Sequence, residues 1–152
     1  KVPAMADGDL VMFESGAMVQ YLIDRYGDGQ LQPKPGTPQH AEYLQWSWFA
    51  EATFSRPLGE VVNHAREFPG GNQIDSVVRE MKARATLCLN AVADEIEKKD
   101  FLIDNKFSAA DIMMGYTLML AERLLDTPLP DKILPYWEKL SSREGFQIAQ
   151  EK

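Results

Sequence analysis

The stretch DGDLVMFESGAMVQYLIDRYG, residues 7–27, passes from an apolar run into a helical pattern. Asp7 and Gly8 form a favoured tight-turn pair between two short apolar runs, which predicts a β-hairpin over the first 13 residues. Beyond the hairpin, apolar side chains recur at spacings of three and four, which predicts a helix over residues 15–26. The chain is therefore expected to open with two strands and one helix.

Glu14 and Ser15 stand where the second strand gives way to this helix. A helix start offers free N–H groups and a partial positive charge, and a serine hydroxyl there adds a donor, so a carboxylate fits. Because Glu14 accepts a cation, the two residues together suit the zwitterionic headgroup of an α-amino acid. The alternative is structural, since serine is a common N-cap: Ser15 caps the helix and Glu14 is solvated. The dipeptide alone leaves both interpretations open.

A segment rich in glycine and proline, GDGQLQPKPGTP, follows the first helix and has the composition of a linker. It gives the predicted organisation of the chain. Residues 1–27 form a small α/β unit, residues 28–37 form the linker, and residues 38–152 form an all-α domain.

Helical periodicity continues through the predicted all-α domain. Thr37 and Pro38 mark a helix start, because threonine is a good N-cap and proline suits the first turn. A second helix of the domain is predicted over residues 74–98. The first carries an apolar stripe of Ala41, Leu44, Trp48 and Ala52. The predicted core of the bundle is a dense aromatic cluster: Tyr43, Trp46, Trp48, Phe49 and Phe54.

The start of a third, strongly apolar helix is specified by Ser108 and Asp111. Serine caps a helix, and an acidic residue three positions later completes a capping box. A helix that is apolar nearly all round belongs at the centre of a bundle, where its free N–H groups need partners from within the protein. We therefore interpret Asp111 as a structural cap and not as a catalytic acid.

Composition excludes several classes of function. The 152 residues include 23 acidic and 16 basic side chains, giving a net charge of −7, which argues against nucleic acid as a partner. No apolar run is long enough to span a membrane. The single cysteine, Cys88, permits no intrachain disulfide and suggests the cytoplasm, and its place on an apolar stripe predicts a small buried side chain. His40 and His64 lack partners at metal-ligand spacing, so no metal site is predicted.

The order and spacing of the N-terminal motifs resemble the glutathione S-transferase family. The matching features are the VPAM strand, the Asp-Gly turn, a second strand, Glu14-Ser15, and the helix AMVQYL. The proline-rich linker and the capped helix FSAADI are also similar to that family. The resemblance implies a mostly α fold: a partial thioredoxin-like α/β unit of β-hairpin plus helix, then the all-α C-terminal domain of a glutathione transferase.

The resemblance also implies a role for five residues in binding glutathione, with no metal. Pro3 matches the family's cis-proline, which exposes the backbone of Val2 to the cysteinyl part of the tripeptide. Glu14 and Ser15 match the pair that holds the γ-glutamyl headgroup, and Lys1 falls near the glycine end. The family's catalytic Ser, Tyr or Cys would lie upstream of Lys1, so the catalytic residue is unknown and this chain is expected to be a fragment without useful transferase activity.

Two functions follow from the resemblance as expectations. The first is a cytoplasmic enzyme that conjugates glutathione to a small apolar electrophile, or reduces a mixed disulfide. The second is a non-catalytic binding or assembly module of the same fold. In both cases the implied assembly is a homodimer formed mainly by the first two helices of the all-α domain.

Overall fold

The computed structural model describes residues 3–151. A two-stranded antiparallel hairpin comes first and α-helices follow. The strands are β1 (Ala4–Asp7) and β2 (Leu10–Phe13), and the helices are α1 (Ser15–Tyr26), α2 (Pro38–Trp48), α3 (Ser55–Glu67), α4 (Asp75–Ile96), α5 (Ala109–Leu124), α6 (Leu134–Ser141) and α7 (Glu144–Gln150). The predicted fold class, a hairpin and helix followed by a helical bundle, is confirmed. The division at residues 28–37 stays a prediction.

The hairpin turns one residue later than the sequence suggested. Asp7 pairs with Leu10, so the two-residue loop is Gly8-Asp9 and not Asp7-Gly8. Gly8 has a φ of 58°, a left-handed conformation that glycine adopts without a steric penalty. The prediction placed Asp7 in the turn, whereas the residue ends β1 and its side chain is free to point toward α1.

The Asp7 carboxylate ties the hairpin to α1. It accepts hydrogen bonds from the hydroxyl of Tyr26 at 2.5 Å and from that of Tyr21 at 2.7 Å. The Arg25 guanidinium lies 3.9 Å away. A pair of strands alone is marginally stable, so these contacts to the helix help to fix where the hairpin lies.

We predict that the hairpin loosens in acid. Hydrogen bonds from Tyr26 and Tyr21 hold the pKa of Asp7 below its ordinary value. A carboxylate with a lowered pKa stabilises the folded state above its unfolded pKa, and that contribution is lost as the pH falls below about 4. Amide chemical shifts of β2, followed by NMR between pH 5 and pH 2.5, should therefore change in the wild type.

The Asp7→Asn variant is the control for this titration. Its hairpin should be loosened at every pH and should show no pH-dependent step of its own. Identical acid transitions in the variant and the wild type would contradict the assignment to Asp7.

Thr37 caps the start of α2, where its hydroxyl accepts the His40 N–H at 3.3 Å, as the sequence predicted.

A π-helical turn, Phe49–Phe54, joins α2 to α3. The π-turn carries wider i→i+5 hydrogen bonding, and such turns occur frequently at functional sites. This wider turn changes the angular positions of its residues, and of those that follow, around the helix axis. The π-turn therefore sets the directions in which its own side chains point.

The core uses a different face of α2 from the predicted apolar stripe. Tyr43, Trp46 and Phe54 are buried, whereas Leu44 is more than a third exposed and Trp48 is 62% exposed. The predicted aromatic core is therefore correct for Tyr43, Trp46 and Phe54 and wrong for Trp48, because α2 has two apolar faces and periodicity alone does not select between them. The face with more aromatic side chains is the one that packs into the interior. The hydroxyl of Tyr43 on this face donates to the side chain of Gln20 on α1 at 2.9 Å.

Asp111 holds the centre of the bundle together. Its carboxylate is fully buried and accepts the Ser108 N–H at 2.8 Å, which forms the predicted capping box. It also accepts the Ser108 hydroxyl at 2.9 Å, the Leu102 N–H at 3.0 Å and the Tyr136 hydroxyl at 2.9 Å. Burial and the nearby Asp111 charge raise the pKa of Tyr136 well above its ordinary value, so this hydroxyl remains a donor. These contacts are those of a capping box, and the assignment of Ser108 and Asp111 to a structural role stays a prediction.

Replacing the Asp111 carboxylate should be costly. Asp111→Asn puts an amide NH₂ where one carboxylate oxygen accepts hydrogen bonds, so buried donors face a donor. We expect a loss of about 3 kcal/mol in the free energy of unfolding, measured with urea.

Asp126→Asn, which breaks an exposed pair with Lys82, is the matched control and should cost less than about 1 kcal/mol. Equal losses in the two variants would contradict the central role of Asp111.

Candidate functional site

The start of α1 carries an unusual backbone conformation. Glu14 is the N-cap residue, with φ 74° and ψ 107°. A non-glycine residue with positive φ is uncommon, and this combination lies outside the usual left-handed region, which costs on the order of 1–3 kcal/mol. Strain of this kind is found at ligand sites, where the surrounding structure maintains it. Glu14 itself is exposed, so its carboxylate is available to a ligand.

Ser15 is the first residue of α1 and not its N-cap, which corrects that part of the structural interpretation. The Glu14 side chain makes no cap hydrogen bond, and the Glu14 carbonyl accepts the first helical N–H, from Met18. The Ser15 hydroxyl instead donates to Oε1 of Glu51 at 2.8 Å. Glu51 is 36 residues away in sequence and lies on the π-turn. The contact therefore joins the start of α1 to the bundle.

Glu51 is the site residue that the sequence analysis missed. It is one acidic residue in the run FAEATF, between aromatic side chains that belong to the core. The available signal was a charged residue within an apolar run. The direction of the Glu51 side chain, however, depends on the π-turn, which helical periodicity does not predict. Glu51 and Glu14 together bring two carboxylates to the start of α1.

A groove between α1 and α2 adjoins this pair. Its volume is about 440 Å³, and Gly16 and Glu51 are among the residues that line it. Leu44, Trp48 and Met113 contribute apolar surface to the lining. The groove thus brings apolar side chains to the carboxylate that accepts the Ser15 hydroxyl.

The phenol of Tyr43 and the thiol of Cys88 are unsuited to ionise near neutral pH. Burial raises the pKa of the Tyr43 phenol, and it also raises the pKa of the Cys88 thiol. Cys88 is half-buried beside the Thr53 carbonyl, so the predicted fully buried position is only partly correct. The thiolate is the reactive form of cysteine, so a raised pKa leaves Cys88 mostly unreactive.

The N-terminal part of the predicted site is described only in part. Pro3 precedes β1 and is exposed. Lys1, Val2 and the predicted cis bond between Val2 and Pro3 lie outside the described residues. Among residues 3–151, no group of three or more His, Cys, Asp and Glu side chains is arranged to hold a metal ion. Within the same range, no helix has the length and hydropathy that a membrane crossing requires.

Hairpin, helix, linker and capped helical bundle together define the fold class as that of a thioredoxin-like unit joined to a glutathione-transferase helical domain. Comparison with solved structures agrees. A glutathione transferase from Phanerochaete chrysosporium in complex with oxidized glutathione superposes with a TM-score of 0.86 at 23% identity, over 99% of this chain and 72% of that one. A glutathione S-transferase from Actinobacillus pleuropneumoniae gives a TM-score of 0.80 at 24% identity, over 99% and 68%.

Curated relatives are also glutathione S-transferases. Glutathione S-transferase F13 of Arabidopsis thaliana is 25% identical over 153 residues, which cover 96% of this chain and 70% of the relative. Glutathione S-transferase 3 of Zea mays is 24% identical, over 97% and 69%. No protein-family model matches the chain. The relatives confirm the resemblance to the glutathione S-transferase family, and the solved structures show that the chain has the corresponding fold.

Proposed function

We propose that the start of α1 binds the γ-glutamyl headgroup of glutathione, and that the protein is a glutathione S-transferase. The observation that carries the proposal is the hydrogen bond from Ser15 to Glu51 at the helix start, beside the strained and exposed Glu14. The glutathione complexes among the solved structures of the same fold support the choice of ligand. One cysteine, Cys88, fits a reducing cytoplasm.

Charge complementarity explains how this site would hold a zwitterion. The free N–H groups of the first turn and the Ser15 hydroxyl suit the α-carboxylate of the γ-glutamyl group. Glu14 and Glu51 supply acceptors for its ammonium. A hydroxyl has one proton to donate, so the Ser15 proton must turn from Glu51 to the ligand carboxylate when glutathione binds. Glu51 is thereby released to pair with the ammonium.

The proposed reaction is conjugation to a small apolar electrophile. The glutathione thiolate attacks an electrophilic carbon, a C–S bond forms, and the leaving group departs with its bonding electrons. Holding the tripeptide at its γ-glutamyl end brings the sulfur to the electrophile in a fixed geometry, which lowers the entropic part of the barrier. Leu44 and Met113 offer an apolar surface near the site. We assign the stabilisation of the thiolate to none of residues 3–151.

Ser15→Ala should weaken glutathione binding. The variant loses the bond to the ligand in the complex and the bond to Glu51 in the free protein, so only the difference between the two lowers the affinity. We expect the dissociation constant to rise by up to about tenfold, or about 1.4 kcal/mol. NMR titration of the chain with glutathione measures this even when binding is weak.

Ser141→Ala on α6 is the matched control, because its hydroxyl donates to a backbone carbonyl on the same helix. Wild-type affinity in Ser15→Ala, with glutathione still bound, would place the ligand elsewhere.

The hydrogen bond between Ser15 and Glu51 also supports a second candidate function, a non-catalytic binding or assembly module. Ser15 and Glu51 satisfy one another without a ligand, as a structural tie in a non-catalytic binding or assembly module would. In that case Ser15→Ala lowers the stability of the chain, and the wild type shows no glutathione-dependent chemical shifts. The titration above therefore discriminates between the two functions.

We also propose that the protein forms a homodimer through the outer face of α2, α3 and α4. Large apolar side chains are exposed there: Trp48 on α2, Val62 on α3, and Val77 and Leu87 on α4. A groove of about 810 Å³ runs between α3 and α4, and Val77 and Leu87 line it. An exposed apolar surface of this kind favours contact with another apolar surface. A second copy of this chain supplies one on the same helices.

Leu87→Glu tests this surface. Leu87 is 71% exposed, so the substitution should not harm folding, yet it places a charge in the proposed interface. We expect light scattering to report a dimer for the wild type and a monomer for the variant at tens of micromolar.

Ile148→Glu on α7, an exposed residue outside the surface, should remain dimeric. A monomeric wild type at these concentrations, or a dimeric Leu87→Glu variant, would contradict the proposal.

A further inference from the structure

Gly16 lies against the Glu51 carboxylate. A methyl group added to Gly16 would be 2.1 Å from Oε2 of Glu51 and 3.1 Å from its Cδ. Contacts of this length do not occur between real atoms, so the carboxylate occupies its place only because residue 16 has no side chain. The other oxygen, Oε1, receives the Ser15 hydroxyl at 2.8 Å. One carboxylate is therefore enclosed by two consecutive residues of the first turn of α1.

The π-turn fixes Glu51 from the opposite side. The carbonyl of Ala50, its neighbour, accepts the Ser55 N–H, and the hydroxyl of Thr117 lies 3.2 Å from this carbonyl and 3.2 Å from that of Met113, between which it shares its proton. Thr117 and Ala50 are buried on α5 and on the turn. Since the backbone at residues 50–51 is held in this way, a side chain at residue 16 would displace the mobile end of Glu51 and not the turn.

We propose that Gly16 is a positioning residue for glutathione: the absence of a side chain at this position admits the Glu51 carboxylate to the start of α1, where it holds Ser15 and receives the ligand ammonium. This inference rests on the proposed function. It predicts different effects of Gly16→Ala on binding and on stability. Alanine favours a helix more than glycine does, which offsets the lost contact between Ser15 and Glu51, so the free energy of unfolding should change little while the glutathione affinity falls.

Glutathione titration by NMR is the first test. We expect Gly16→Ala to raise the dissociation constant about tenfold, the loss associated with one charge-assisted contact. Gly59→Ala is the matched control, because Gly59 is also helical and an added methyl group would meet no atom within 4 Å. In the Glu51→Ala background, adding Gly16→Ala should change the affinity less than twofold.

Two results of this titration would overturn the proposal. The first is wild-type affinity in Gly16→Ala. The second is an equal tenfold loss in the Glu51→Ala background, which would mean that the added methyl group blocks the ligand directly.

A second experiment separates this inference from the proposed function. If the wild type shows no binding of glutathione, the proposed function fails, and urea unfolding decides the role of Gly16. The test is a double-mutant cycle of Ser15→Ala and Glu51→Ala, with Gly16 in place. The two substitutions together should change the equilibrium constant for unfolding by a factor that differs about tenfold from the product of the two single factors. In Gly16→Ala the coupling should vanish. Coupling of the same size in both backgrounds would overturn the positioning role.

Discussion

The buried carboxylate of Asp111 is the constraint on which the rest of the structure depends. It accepts hydrogen bonds from Ser108, Leu102 and Tyr136, so it joins the start of α5 to the preceding loop and to α6. Removing these bonds would leave buried donors without acceptors, which is why the arrangement is costly to change. Asp111 thus fixes the start of α5, and apolar packing buries the rest of the helix.

The position of α5 determines the site through a short series of contacts. The Thr117 hydroxyl, two turns along α5, lies 3.2 Å from the Ala50 carbonyl on the π-turn and shares its proton between that carbonyl and the one of Met113. The turn directs Glu51 toward α1, and Glu51 accepts the Ser15 hydroxyl. The result is a helix start with donors at its centre and two carboxylates around it. A simple anion would be repelled by those carboxylates, whereas a zwitterion satisfies both signs of charge, and this distinction favours an α-amino acid headgroup over a phosphate.

Local signals predicted much of this arrangement. The capping box of Ser108 and Asp111 and the bounds of α1 depend on residues close in sequence, so they could be predicted. Glu51 could not, because its direction depends on a π-turn supported by a residue 67 positions away. The predicted aromatic core was right for Tyr43 and Trp46 and wrong for Trp48 for a related reason: both faces of α2 are apolar, and only packing against the other helices selects the buried one.

A crystal structure of the chain with glutathione would report directly which groups contact the headgroup. We predict the γ-glutamyl carboxylate within hydrogen-bond distance of the Ser15 hydroxyl and the first-turn N–H groups of α1. The ammonium should lie between Glu14 and Glu51, with the 2.8 Å contact from Ser15 to Glu51 broken. Glutathione bound at another surface, with that contact intact, would refute the proposed site.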